Sequence, residues 1–486
     1  MQRFYAPRAR QNEHPIVKIV RPLHSTCSLI LLLAVTASSH LFAKQPEVSS
    51  ARAPDRPNIM LFLSDDHGAD FVGCYGNPAV RTPNIDRLAR DGMKFNRVFA
   101  ASPTCSPSRA AMFTGLWPQR NGTMGNHTEC RPGIKTLPDY LQPLGYRVVA
   151  ANKTDLRPRS AFGWEWLPAT LPTDPKFRRY RDEGLDTRKV DQFLAEHVRD
   201  HPAQPLCLLL GDNGPHVVWE TNKIYDPAVL PMNPLLVDTP KTRLALANYY
   251  QDITTMDGRV GKVLASLERY GLATNLLFIY TTDQGAEWPR CKWTLYDSGL
   301  RVPFIARWSG VLKPGSESGA LISLVDLTPT FVALAGGKPP AGIDGRSFSD
   351  VLLGRKNTFR QELFASHTGD GTMNMFPQRG IRDTRYKFIV NLHPERDWTT
   401  HFTKVAGIPN SHAEVWNTWV EKAKTDPAAA RLVTLIVHHP AEELFDTRAD
   451  PYELTNLVDH ADMKPITERL RQRLARWRQE VGDQDE

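Results

Sequence analysis

Four stretches of the chain are largely apolar and of strand length, with Arg147 their one charged residue: Asn58 to Ser64, Tyr146 to Ala151, Pro205 to Gly211 and Leu276 to Thr282. Unbroken rather than alternating hydrophobicity marks strands covered on both faces, as in a sheet between helix layers. Each run gives way to polar residues: Asp65-Asp66-His67-Gly68, Asn152-Lys153-Thr154-Asp155, Asp212-Asn213-Gly214-Pro215-His216 and Asp283-Gln284-Gly285. Open α/β sheets bind ligands at the carboxyl ends of their strands, so these four clusters are the first candidates for chemistry. Helical spacing predicts helices over Thr82 to Phe95 (halted by Gly92), Thr136 to Gly145, residues 241–270 and Asp326 to Ala335. From about Glu362 the pattern changes. Strand-like pieces at Leu363 to Ser366 and Tyr386 to Asn391, then helices near 412–424 and 463–480, predict a smaller α+β domain. We therefore place domains at residues 55–361 and 362–486.

One stretch stands apart, Ser102-Pro-Thr-Cys-Ser-Pro-Ser-Arg-Ala-Ala-Met-Phe-Thr-Gly115. Ser106 suits an N-cap and Pro107 a first helical position, which sets Cys105 at a helix N-terminus, where unpaired N–H groups favour anions. The adjacent carboxylates Asp65 and Asp66 invite a hard cation, calcium or magnesium rather than zinc. His216 carries an imidazole whose ordinary pKa suits general acid work. His127 closes the glycine-rich stretch that begins at Asn121 and is a candidate for the pocket border.

Composition narrows the setting. The chain has 486 residues, 41% of them hydrophobic, enough for a large core. Arg3, Arg8, Arg10, Lys18 and Arg21 precede an apolar run, Cys27 to Val35, that is too short to span a bilayer permanently. Residues 1–43 read as an export signal, cut near Ala37 or Ala43, and imply a periplasmic or secreted protein, lysosomal in a eukaryote, without stable membrane insertion. That segment holds five Lys or Arg and one Glu, a net of +4 out of the whole chain's +7, so the remainder is about +3. So small and spread a charge excludes a nucleic-acid binder. Cys74, Cys130, Cys207 and Cys291 show no CxxC spacing, which disfavours zinc and leaves any disulfide pairing open.

Cys105-Ser-Pro-Ser-Arg109 followed by Thr114-Gly115 resembles the signature of type I sulfatases. The other clusters fall in that family's order. The resemblance implies an α/β fold with a large mostly parallel central sheet between helix layers, similar to alkaline phosphatase, plus a smaller C-terminal α+β domain. It implies that Cys105 is oxidised to formylglycine (3-oxoalanine) by a formylglycine-generating enzyme and acts as nucleophile. By the same resemblance Asp65, Asp66, Cys105, Asp283 and Gln284 hold one calcium ion, Arg109, Lys153 and Lys292 neutralise sulfuryl oxygens, and His216 protonates the leaving atom. Two positions depart from the family pattern. Gln284 stands where Asn or His is usual, and Asp155 where a histidine is usual. For Asp155 the register slips, another histidine such as His127 substitutes, or the site is tuned differently.

Tyr225-Asp-Pro-Ala-Val-Leu-Pro231 and Met256-Asp-Gly-Arg-Val-Gly261 look like the heparan N-sulfatase (sulfamidase) branch. So do Ser366-His367, Thr372-Met373 and Pro377-Gln-Arg379, through which the second domain would lend His367 and Arg379 to a sugar pocket. The segment 442–457 resembles the family's C-terminal motif and reads as structural. The implied substrate is a sulfated saccharide, N-sulfoglucosamine of heparan type. An O-sulfatase on another glycan, a phosphonate or phosphate monoester hydrolase of the same superfamily and a catalytically dead glycan-binding protein are the alternatives.

Overall fold

The computed structural model describes residues 56–167, 184–371, 374–404 and 412–484. Residues 1–43, expected to be an export signal, with Cys27 among them, and the pair Thr372-Met373 lie outside the described residues. Nine strands form the main sheet: β1 (Asn58–Ser64), β2 (Met93–Phe99), β3 (Arg147–Asn152), β4 (Glu165–Trp166), β5 (Leu206–Gly211), β6 (Leu276–Thr282), β7 (Arg301–Arg307), β8 (Ser316–Ser318) and β9 (Ile322–Ser323). Their order is β4-β3-β5-β1-β6-β7-β2-β8, with β9 beside β2. The pairings β3–β5, β5–β1 and β1–β6 are parallel, and β7 runs against both of its neighbours.

The four apolar runs are therefore adjacent central strands, and parallel pairing brings their polar C-terminal ends to one edge. Alternate residues feed opposite layers. Ile59, Leu61 and Leu63 pack with Val148, Leu209 and Ile279, whereas Met60 and Phe62 pack with Val149, Leu208 and Phe278. Each large apolar side chain so buried contributes about 1.5–3 kcal/mol, which is why neither face of these strands tolerates polar residues. The 30-residue helix Pro240–Arg269 covers the second layer through Ile253, Met256, Val260 and Leu264. The helices Cys105–Thr114 and Leu327–Leu334 cover the first.

Two helix readings change. The helix expected over Thr82 to Phe95 spans Pro83–Asp91, and Met93–Phe99 is β2. Gly92 makes the switch possible, because a Cβ there would meet the Ala306 carbonyl oxygen of β7 at 2.3 Å. The helix of the Ser102–Gly115 stretch begins at Cys105 itself, flanked by Thr104, so Ser106 is not its cap and Pro107 is its third residue. Asn126 supplies the missing acceptor, taking a hydrogen bond from the Ser106 N–H at 3.2 Å.

A second sheet, antiparallel, has the order β10 (Leu363–His367), β11 (Gln378–Arg382), β12 (Tyr386–Asn391), β13 (Glu442–Asp446). The helix Lys464–Val481 lays Leu470, Leu474 and Trp477 on Phe364, Phe388 and Leu444 of this sheet. Helices Thr187–Asp200 and Pro427–Val437 were not anticipated from the sequence. Cys74, Cys105, Cys130, Cys207 and Cys291 are free thiols. Among the described residues no helix is long and apolar enough to cross a membrane.

Candidate active site

The site forms where β1, β3, β5 and β6 end and the helix Cys105–Thr114 begins. Asp65, Asp66 and Asp283 are wholly buried, with carboxylate oxygens within 4.8 Å of one another. Asp66 follows β1 in the left-handed region (φ 61°), and its N–H donates to Asp283 Oδ1 at 3.3 Å. Arg109, also fully buried, donates from Nε to Asp283 Oδ2 at 2.7 Å and from Nη2 to Asp65 Oδ2 at 3.1 Å. Cys105 Sγ lies 3.4 Å from Asp65 Oδ1 and 3.3 Å from Gln284 Nε2. Sequence-distant residues 65, 66, 105, 109, 283 and 284 thus converge on one point.

Two lysines flank the acids. Lys153 Nζ reaches Asp65 Oδ2 at 2.5 Å and Asp155 Oδ2 at 3.4 Å. Gly211 at the end of β5 permits this approach, since a Cβ there would sit 1.7 Å from the Lys153 carbonyl oxygen. Lys292 Nζ reaches Asp66 Oδ2 at 2.8 Å and Glu287 Oε2 at 3.3 Å. Asp155 therefore stands beside Lys153 itself. Glu287 was not singled out from the sequence, although an acid three residues beyond Asp283-Gln284 carried the same signal as its neighbours.

The electrostatics fit a cation. Burial raises Asp65, but Lys153 and Arg109 overcome it and hold that carboxyl far below its usual range. Asp66 and Asp283 are pushed up, first by burial; Asp65 adds like-charge repulsion to both, beyond what Lys292 and Arg109 relieve. Gln284 donates from Nε2 to Asp66 Oδ1 at 2.5 Å, while its buried Oε1 has no partner. A half-turn of that amide would offer the oxygen to the cluster instead. Hard oxygen donors, crowded negative charge and one orphaned carbonyl oxygen together suit calcium or magnesium. Burial, then Asp65, raises the Cys105 thiol well above its ordinary value, so as a cysteine it is a poor thiolate nucleophile.

His216 Nε2 lies 3.7 Å from Asp66 Oδ2, and Nδ1 hydrogen-bonds the Val217 carbonyl at 2.7 Å. Its pKa is not near the ordinary value: burial, reinforced by Lys292 and Lys153, lowers it to about 4. The imidazole is neutral in the free site.

The sugar-pocket residues expected of the second sheet are placed otherwise. Arg379 is buried, its Nε paired with Asp483 Oδ2 at 2.7 Å and its Nη1 donating to the His367 carbonyl at 2.8 Å. His367 is buried too, donating from Nε2 to the Asn374 carbonyl at 3.0 Å and packing on Phe376 and Trp293. His367 Nδ1 and Arg379 Nη2 are buried without a hydrogen-bond partner. His127 is half exposed on the rim, 3.2 Å from Asn126 Nδ2 and 3.9 Å from Asp370 Oδ1. His401, stacked on Trp293, approaches the other Asp370 oxygen at 3.9 Å. Trp164, Trp219 and Trp288 are core residues.

Residues 57–337 match the family model described as sulfatase, and residues 289–417 match the model described as N-sulphoglucosamine sulphohydrolase, C-terminal. An ulvan-active sulfatase of Formosa agariphila is 35% identical over 442 residues, covering 89% of this chain and 82% of that protein. The human N-sulphoglucosamine sulphohydrolase is 25% identical over 523 residues, covering 95% and 94%. A solved protein in complex with its substrate D-glucosamine-2-N,6-O-disulfate shares the fold, with a TM-score of 0.66 at 20% identity over 89% of this chain and 100% of that one. A matched family model over more than half the chain and this level of identity converge with the geometry: the chain belongs to the sulfatase family.

Proposed function

We propose that this sulfatase removes the sulfuryl group from N-sulfoglucosamine of a heparan-type saccharide, with Cys105 oxidised to formylglycine and one calcium ion held by Asp65, Asp66, Asp283 and Gln284. The observation that carries the chemistry is the convergence of Arg109, Lys153 and Lys292 on three buried aspartates beside Cys105. A formylglycine hydrate at position 105 would supply an oxygen nucleophile, and the cation would lower that oxygen's pKa and draw charge from the sulfuryl group.

The rest is done by the chain's own side chains. Lys153, paired with Asp65, and Lys292, paired with Asp66, bind sulfuryl oxygens, where fixed cations in a dry site stabilise the charge that develops in the transition state. Arg109 holds Asp65 and Asp283 in one orientation. His216 takes up a proton as the bound anion balances the lysines and delivers it to the leaving nitrogen or oxygen.

The C-terminal family match supports the sulfamate reading. A second reading, hydrolysis of an O-sulfate ester on another glycan, is favoured by the 35% identity to a relative named for ulvan. The test is free sulfate released by the converted enzyme from N-, 2-O- and 6-O-sulfated glucosamine disaccharides and from ulvan oligosaccharides. Release from the N-sulfated member is expected; release from O-sulfated members alone would overturn the sulfamate reading and leave the O-ester one.

A further inference from the structure

Each catalytic lysine is held by two carboxylates, one inside the metal cluster and one outside it. Lys153 lies between Asp65 and Asp155, and Lys292 between Asp66 and Glu287. The outer acids are not surface charges: Glu287 is 5% exposed, and the Asp155 side chain is 22% exposed. Asp155 is also held at φ 49°, in the left-handed region that few non-glycine residues occupy, a cost that persists where the surrounding structure demands it.

The outer pair sets the charge of the centre. Asp65, Asp66, Asp155, Asp283 and Glu287 face Arg109, Lys153 and Lys292, five negative groups against three positive, and a divalent ion brings the centre to neutrality. Without the outer two it would carry two positive charges. A sulfate monoester or sulfamate bears one negative charge. A phosphate monoester bears nearly two above its second pKa of about 6. Coulomb energy is linear in the ligand's charge, so a neutral centre withholds from the dianion twice what it withholds from the monoanion.

We propose that Asp155 and Glu287 are specificity-determining residues that make this centre select singly charged sulfuryl groups over doubly charged phosphoryl groups. The inference rests on the proposed function for the site's location and deepens it by assigning the charge class of the ligand. Neither acid needs to touch the ligand.

The test uses calcium-loaded Asp155→Asn, Glu287→Gln and the double variant, each in a Cys105→Ala background so that no ester is consumed, at pH 8. Calorimetry compares phenyl phosphate, a dianion, with phenyl sulfate and phenyl methylphosphonate, both monoanions. The phosphate-over-sulfate binding ratio should rise at least threefold in each single variant and at least tenfold in the double, with the phosphonate following the sulfate. The charge-retaining variants Asp155→Glu and Glu287→Asp should keep the ratio within twofold of the parent, which a merely structural role would not predict. A ratio unmoved within twofold in the double variant, or a phosphonate gain equal to the phosphate gain, overturns the proposal. Sulfate release by the parent enzyme is scored separately, so its failure would count against the proposed function while the binding ratios still decide this one.

Discussion

Replacing Arg109 by alanine leaves Asp65 and Asp283 buried without their shared counter-ion. The guanidinium is fully enclosed and makes contacts of 2.7 and 3.1 Å to the two carboxylates and 3.1 Å to the Lys153 carbonyl. Breaking a buried pair by removing one partner costs about 3–5 kcal/mol, and here the loss falls on two acids. The loss should depend on calcium, because a bound cation supplies part of the missing charge. Both proteins gain from the ion, by about 2.7 kcal/mol at a hundred times the dissociation constant, but removing the guanidinium takes a like charge away from the cation, so the variant should bind calcium more tightly and the gap to the parent should narrow as calcium is raised. Urea unfolding followed by tryptophan fluorescence, with chelator and at a series of calcium concentrations, reads both effects. Arg109→Lys should recover part of the stability and little of the activity, since an ammonium cannot hold two carboxylates in one plane. A calcium-free Arg109→Ala protein within 1 kcal/mol of the parent, or a gap indifferent to calcium, would refute the reasoning.

Further outcomes follow from the same geometry. His216→Gln should lower turnover of saccharide substrates by about 10²–10⁴ but of 4-nitrophenyl sulfate by less than tenfold, because a good leaving group needs no proton; equal losses on both substrates would remove His216 from the acid role. Burial lowers His367 to about 3, against about 6.5 unfolded, so its contribution is complete above pH 6.5 and is lost as pH falls through that window. Between pH 6 and 4, His367→Gln should therefore show a urea-stability slope shallower than the parent's by up to about 1.4 kcal/mol per pH unit, and identical slopes would contradict the burial argument. Lys387, buried between Asp297 and Glu453 where the two sheets meet, should lose about 3–5 kcal/mol on conversion to methionine, and a change under 1 kcal/mol in denaturant titration would count against that pairing. Peptide mass spectrometry of active protein should find residue 105 as an aldehyde or its hydrate, and an intact thiol in fully active material would end the formylglycine account.

What could be read from the residues was what depends on near neighbours. The run Asn58 to Ser64 declares itself a covered strand because all its neighbours demand apolarity, and β1 spans those seven residues. Asp65, Asp66, Cys105, Arg109 and Asp283 were recoverable because each lies immediately beyond a legible element or within a compact motif. The misreadings concern contacts made across long separations. Met93–Phe99 alternates imperfectly, with a register shift between Phe95 and Val98, and its strand character comes from β7, some two hundred residues later. Arg379, assigned to a sugar pocket by resemblance alone, has a partner its neighbours in sequence do not reveal: Asp483, 104 positions away. The helix Thr187–Asp200 was available to inspection: Asp186 accepts hydrogen bonds from the N–H groups of Arg188 and Lys189, an ordinary cap that went unused.

All ten residues of the helix that begins at Cys105 are buried, and Cys105 itself is 2% exposed. On the proposed formylglycine account, no oxidising enzyme could grip the surrounding peptide once this helix is packed, so conversion would have to happen on the nascent or unfolded chain. Folding is then a deadline for maturation. On that account a molecule that reached its native state with the thiol intact would stay inert, and only unfolding it in the presence of the converting enzyme would give it another chance.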